Sequence, residues 1–115
     1  MENEMTVYTI VKQANHDFTT ASEFGELNVL FPLGVNIVDV KIIADAAREF
    51  FSDFDFDNDY FLPVGSPIVV AVVCICLSEE FELQQKESIS FLEWDKYRQS
   101  YSVKTYDASD ENDDK

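Results

Sequence analysis

From Met5 to Gln13 the chain reads Met-Thr-Val-Tyr-Thr-Ile-Val-Lys-Gln, β-branched and aromatic with partial alternation, which predicts a first strand over 5–13. A polar stretch, 14–25, follows as loop. Glu26 to Phe31 alternates again and is stopped by Pro32 and Gly34, so a second strand is expected there, paired with the first. The period then changes. Ile37, Val40, Ala44, Ala47 and Phe51 recur at helical spacing behind a capping-box-like Asn36 and Asp39, predicting a helix over 36–51. Its other face, with Asp39, Lys41, Asp45, Arg48 and Glu49, is assigned to water.

Directly after that helix, Asp53-Phe54-Asp55-Phe56-Asp57-Asn58-Asp59-Tyr60 alternates carboxylates with aromatics, and the eleven residues from Glu49 to Asp59 hold five acids and no base. Leu62 to Pro67 is turn punctuation. Ile68 to Leu77 is apolar on both parities and mostly β-branched, the pattern of a strand buried on both faces. Phe81 and Leu83, alternating with Glu80, Glu82 and Gln84, carry that strand on to 84. The competing reading starts a helix at Ser66 and Pro67, cap and first helical position.

The last third gives conflicting signals. Ser90 and Glu93 fit a capping box and Phe91, Trp94, Tyr97 or Arg98, and Tyr101 a helical stripe, while Ile89 to Trp94 also reads as a strand and Ser102 to Tyr106 as extended chain. The expected fold class is therefore α+β: a small single domain over 1–106, its antiparallel sheet (5–13, 26–31, 67–84) packed on one main helix, with a C-terminal helix or strand. Residues 107–115, five acids and one base, are expected to form a disordered tail.

Composition fits one domain of 115 residues, 46% hydrophobic, with ten Phe, five Tyr and one Trp for a core. Charge separates it from ordinary domains. With 23 Asp and Glu against 8 Lys and Arg, the formal net charge is −15. Disordered acidic segments lack so many aromatics. Direct binding to nucleic acid is excluded by this balance, because phosphates must be met by cations and eight scattered bases offer no patch. The tail explains little of it, since without residues 106–115 the body still carries −11.

The chain begins Met1-Glu2-Asn3-Glu4, without the basic and apolar regions of a secretory signal, and its longest apolar run is about half the ~20 residues a membrane helix needs. A cytoplasmic protein is expected, not bound to membrane. Cys74 and Cys76, two apart in the expected strand, read as reduced, buried thiols.

Candidate chemistry is sparse. Counted from Asp53, a calcium loop would need Gly at Asn58 and Glu at Val64; counted from Asp55 it fails at Tyr60 and Ser66. Three glycines leave little material for a phosphate cradle, no metal or cofactor site is expected, and His16 stands without catalytic company. A non-enzymatic role follows. In extended chain, alternate residues lie roughly 6–7 Å apart on one face. A row of Asp53, Asp55, Asp57 and Asp59 would thus match the phosphate spacing along a DNA strand, also about 6–7 Å.

The expected partner is a basic nucleic-acid-binding or nucleic-acid-cleaving protein, met by that row with Glu49, Glu79, Glu80 and Glu82 in support and Phe54, Phe56 and Tyr60 as aromatic contacts. In charge and size the chain is similar to small phage-encoded DNA-mimic inhibitors and to acidic immunity proteins against nucleases. A monomer or small homo-oligomer is expected. The alternative is a structural or assembly subunit that homo-oligomerises through apolar edges, its charge serving solubility.

Overall fold

A computed structural model describes residues 5–11, 20–31 and 39–108. Five strands form one sheet: β1 (Thr6–Val11), β2 (Glu26–Phe31), β3 (Tyr60–Leu62), β4 (Ser88–Asp95) and β5 (Ser100–Asp107), in spatial order β2-β1-β3-β4-β5. Two helices, α1 (Val40–Phe50) and α2 (Pro67–Leu83), connect β2 to β3 and β3 to β4. Short 3-10 turns stand at Thr20–Glu23 and Phe51–Asp53. The class is α+β, in one small compact domain.

The sheet is mixed rather than antiparallel. β1 pairs in parallel with β2 and with β3, β3 in parallel with β4, and only the β4–β5 hairpin is antiparallel. Parallel neighbours need crossover connections, and α2 supplies the one between β3 and β4. Residues 67–84 are therefore not a strand. The apolar run packs against both the sheet and α1, so it needs apolar residues on more than one side, and a helix with two such faces shows no clean period. Ser66 and Pro67 at its start are the cap and first-turn residues of that helix.

The expected helix over 36–51 is α1 at 40–50, with Asp39 itself as the cap: its Oδ1 accepts from the Lys41 N–H at 2.9 Å. Asn36 and residues 12–13 of the expected first strand lie outside the described residues, as do His16 and residues 109–115 of the expected tail. The second strand has its expected bounds. The C-terminal third is a pair of strands, turned by Lys96 to Gln99 and closed by Asp95 Oδ1, which accepts from the N–H groups of Tyr97 and Arg98.

Both helices lie on one sheet face. Tyr8 of β1 meets Phe50, Phe51 and Phe54 at ring-centre distances of 5.1, 5.7 and 5.0 Å, and Phe61 of β3 meets Phe51 at 5.4 Å. The helices touch where Cys76 Sγ donates to the Ala44 carbonyl at 3.6 Å. On the opposite face Phe24 stacks edge-on against Tyr60 and Trp94 against Tyr101. Fully buried Thr9 satisfies its hydroxyl by donating to the Leu62 carbonyl at 2.8 Å. On helical geometry the two cysteines part company: both are free thiols, but Cys74 is exposed, contrary to expectation, and only Cys76 is buried.

Candidate functional site: an acidic end of the sheet

Parallel strands joined by helices place the helix C-termini beside the amino ends of the strands that follow. α1 runs through its 3-10 turn into 54–59 and then β3, and α2 ends just before β4. Phe56 and Phe81, with ring centres 5.4 Å apart, tie the turn to the end of α2. The acidic residues singled out from sequence thus gather at one end of the molecule, although they come from two separate stretches.

They do not form an extended row. Residues 55–59 close a single turn in which the Asp55 carbonyl accepts from the N–H groups of Asn58 (3.1 Å) and Asp59 (2.7 Å). Asp55 also spends its side chain locally, Oδ1 accepting from Asp57 N–H and Oδ2 from the Asn58 amide at 2.8 Å. Short polar side chains that bond nearby backbone favour turns over strands, and this sequence places four of them in five residues. The Asn58 bond, the largest influence, holds the Asp55 carboxyl below its ordinary range.

Asp59 points inward. It is 6% exposed, its Oδ1 accepting from Thr6 N–H at 3.0 Å and its Oδ2 from Asp55 N–H at 2.9 Å. Burial pushes its pKa up, against the opposing pull of the two N–H groups. The nearby Tyr8 phenol is also raised, by burial first and then by Asp59, Asp53 and Asp55.

Phe54 and Phe56, expected as interface aromatics, are each 2% exposed and stack on one another at 4.8 Å inside the core. Tyr60 is half-buried against Phe24. What remains at the surface is carboxylate: Glu49, Asp53, Asp55, Asp57, Glu79 and Glu82 are exposed, and half-buried Glu80 accepts from the Gln84 amide at 2.7 Å.

Two of these carboxylates have bases beside them. Arg48 Nε donates to Glu79 at 3.2 Å, which raises the Arg48 pKa, and Lys86 Nζ lies 3.1 Å from Asp57. Neither pair was visible in sequence, the partners being 31 and 29 residues apart. The bases also gather more than their scatter in sequence suggested. Lys96, Arg98 and Lys104 share the β4–β5 hairpin with Trp94, Tyr97 and Tyr101, where Arg98 and Lys104 stand 3.8 and 3.9 Å from Asp95 and Glu93. Among the described residues no group of three or more His, Cys, Asp or Glu side chains is disposed to hold a metal ion, and no helix is long and apolar enough to cross a membrane.

An α+β domain with carboxylates concentrated at one end of its sheet is the class of protein these features define. A family model described as Phage Pam3 gp32-like protein matches residues 3–108, and the chain belongs to that family. No curated protein and no solved structure gives a significant match to it.

Proposed function

We propose that this protein is a non-enzymatic acidic inhibitor or modulator whose acidic end binds a basic, nucleic-acid-handling protein. The observation that carries this reading is where the acids stand. A helix C-terminus bears a partial negative charge, so carboxylates there cost stability, roughly 0.3–1 kcal/mol each at low ionic strength. Glu49 occupies the last turn of α1, and the final turns of α2 hold Glu79, Glu80 and Glu82 with no base in its last turn. Solubility alone would be served equally well by acids at the helix N-termini, where they stabilise. The first turns of both helices contain none, and the N-cap Asp39 of α1 is the one acid standing at such a start among the described residues.

A concentrated anionic end steers the protein onto basic clefts and occupies them against their true ligand. The partner class is a nuclease, a restriction or defence protein, or a DNA-binding factor of the infected cell, met in its cytoplasm. Imitation of DNA rests on Glu49, Asp53, Asp57, Glu79 and Glu82 as a surface, in place of an aspartate row.

The test is capture from a bacterial host lysate with immobilised wild type and with the triple variant Glu49→Gln/Asp53→Asn/Asp57→Asn. Nucleic-acid-handling proteins should bind the wild type at low salt, be displaced by added duplex DNA, and be lost by the variant. Capture that is the same with the variant, or indifferent to duplex DNA, would overturn the proposal.

A further inference from the structure

We infer that the outer face of α2 is a self-complementary surface on which a second copy of this chain docks, with the two α2 helices antiparallel about a two-fold axis. α2 is apolar nearly all round over its first half, the composition of a buried helix, yet Ile68 is 64% and Ile75 60% exposed, and Ala71 lies between them open to solvent. These three stand at i, i+3 and i+7 and share one stripe. The same stripe continues into Ser78, Glu79 and Glu82. Ile75, Ser78, Glu79 and Glu82, at i, i+3, i+4 and i+7, surround a shallow hollow that Cys74 also lines. Four residues at that spacing make the hole that receives a knob from a facing helix.

The knob is on the same helix. If two copies of α2 cross antiparallel with the axis level with Val73, the partner's Ile68 falls opposite Ser78 in that hollow, beside Glu79, Ala71 falls opposite Ile75, and symmetry repeats both contacts. This is the isologous arrangement of a two-fold dimer.

Charge selects the orientation. The first turn of α2 contains no acidic residue in a chain with 23 of them, and Ser66 at its cap makes no side-chain bond to the turn. In the antiparallel pair Glu82 of one copy lies beside that positive helix start in the other. A parallel pair would set Glu79 and Glu82 against their own counterparts. Glu79 and Glu82 border both this contact and the acidic end, whereas Glu49, Asp53 and Asp57 take no part in it, so substitutions at those three test the partner site alone. Salt separates the two as well. Screening of two bodies at −15 each strengthens the dimer, whereas it weakens binding to a basic partner.

The experiment is light scattering on the full chain together with pairwise cysteine cross-linking in a Cys74→Ser background. The wild type should be a dimer that tightens with moderate salt, and Ile75→Glu should be monomeric with unchanged helix content by circular dichroism. On oxidation, a mixture of Ile68→Cys and Glu79→Cys chains should form a cross-linked heterodimer, while neither variant cross-links with itself. A monomeric wild type at tens of micromolar, an Ile75→Glu variant that still dimerises, or self-cross-linking of Ile68→Cys would each overturn the antiparallel dimer.

Discussion

The Asp59 carboxylate accepts a hydrogen bond from the backbone N–H of Thr6 at 3.0 Å, across 53 residues of sequence. With its second oxygen it holds Asp55 N–H, so one side chain fixes both the acidic turn and the start of β1. Replacing it by Ala leaves two backbone donors without their acceptor, and a loss of about 2–3 kcal/mol is expected in urea denaturation. The pH dependence has a definite sign. The folded-state pKa of Asp59 is raised above the ordinary 3.8, so the neutral carboxyl is the form that folding favours. Its contribution is fully present below 3.8 and is lost as pH rises through the higher folded value. The cost of Asp59→Ala should accordingly shrink between acid and neutral pH. A cost that grows with pH would contradict the assignment.

The end of α2 carries a second local prediction. Gln85 adopts φ 55°, the left-handed conformation that closes a helix, with Lys86 N–H donating to the Phe81 carbonyl at 3.1 Å and Gln85 N–H to Glu82 at 3.0 Å. That position favours glycine, because a Cβ there crowds the following carbonyl at a cost of about 1–2 kcal/mol. Part of the gain from removing it is offset by the extra freedom of glycine in the unfolded chain. Gln85→Gly should therefore stabilise the fold by about 0.5–1 kcal/mol, read as a higher urea midpoint at unchanged slope.

The same residue explains part of what sequence reading missed. A glycine at 85 would have marked a helix end and drawn attention to a helix behind it. With Gln there, and with Val69, Val70, Val72 and Val73 arguing for strand, the helix starting at Ser66 and Pro67 was legible only as the competing reading, and the exposure of Ile68 and Ile75 in a run expected to be buried was not legible. Local signals worked for the bounds of Glu26–Phe31 and for part of the α1 stripe: Ala47 and Phe51 are buried and Ala44 half-buried, but Val40 is 49% exposed and buried Ile43 was not among the residues expected there. Strand order was not legible, because pairings such as Tyr8 with Phe61 and Phe61 with Phe91 join residues far apart in the chain. The acidic site was half legible. Its residues were found, but the alternation of Asp and Phe was read as strand period when Asp55 and Asn58 make it a turn.

Gly25 supplies a third prediction, on the pairing of the first two strands. Glu26 N–H donates to the Met5 carbonyl at 3.1 Å, which opens the β1–β2 ladder, and Gly25 sits beside that carbonyl at φ 155°. A Cβ on this residue would run into the Met5 carbonyl oxygen, which is backbone and cannot swing aside. Gly25→Ala should cost about 1–3 kcal/mol, as overpacking does in a tight site. Hydrogen exchange should locate the loss: amides of β1 and β2 should lose more protection than those of the β4–β5 hairpin. Uniform loss across the sheet would argue against a local clash.

The acids at the helix ends make stability and binding move in opposite directions. Glu49→Gln and Glu80→Gln each remove a negative charge from a helix C-terminus, while Gln at 80 can still accept from Gln84. Each should raise stability by roughly 0.3–1 kcal/mol at low ionic strength. The gain should fade with added salt, which screens charges at the surface. Glu79→Gln should gain less, because Glu79 also pairs with Arg48 at 3.2 Å, and an exposed pair of this kind contributes about 0–1 kcal/mol that the substitution gives up. Thermal melts of the three variants at low and high salt test the ranking. If the acidic end is a binding surface, the double variant Glu49→Gln/Glu80→Gln should bind the captured partner more weakly although it is the more stable protein. Variants that gain stability and keep full binding would assign the cost of these carboxylates to something other than recognition.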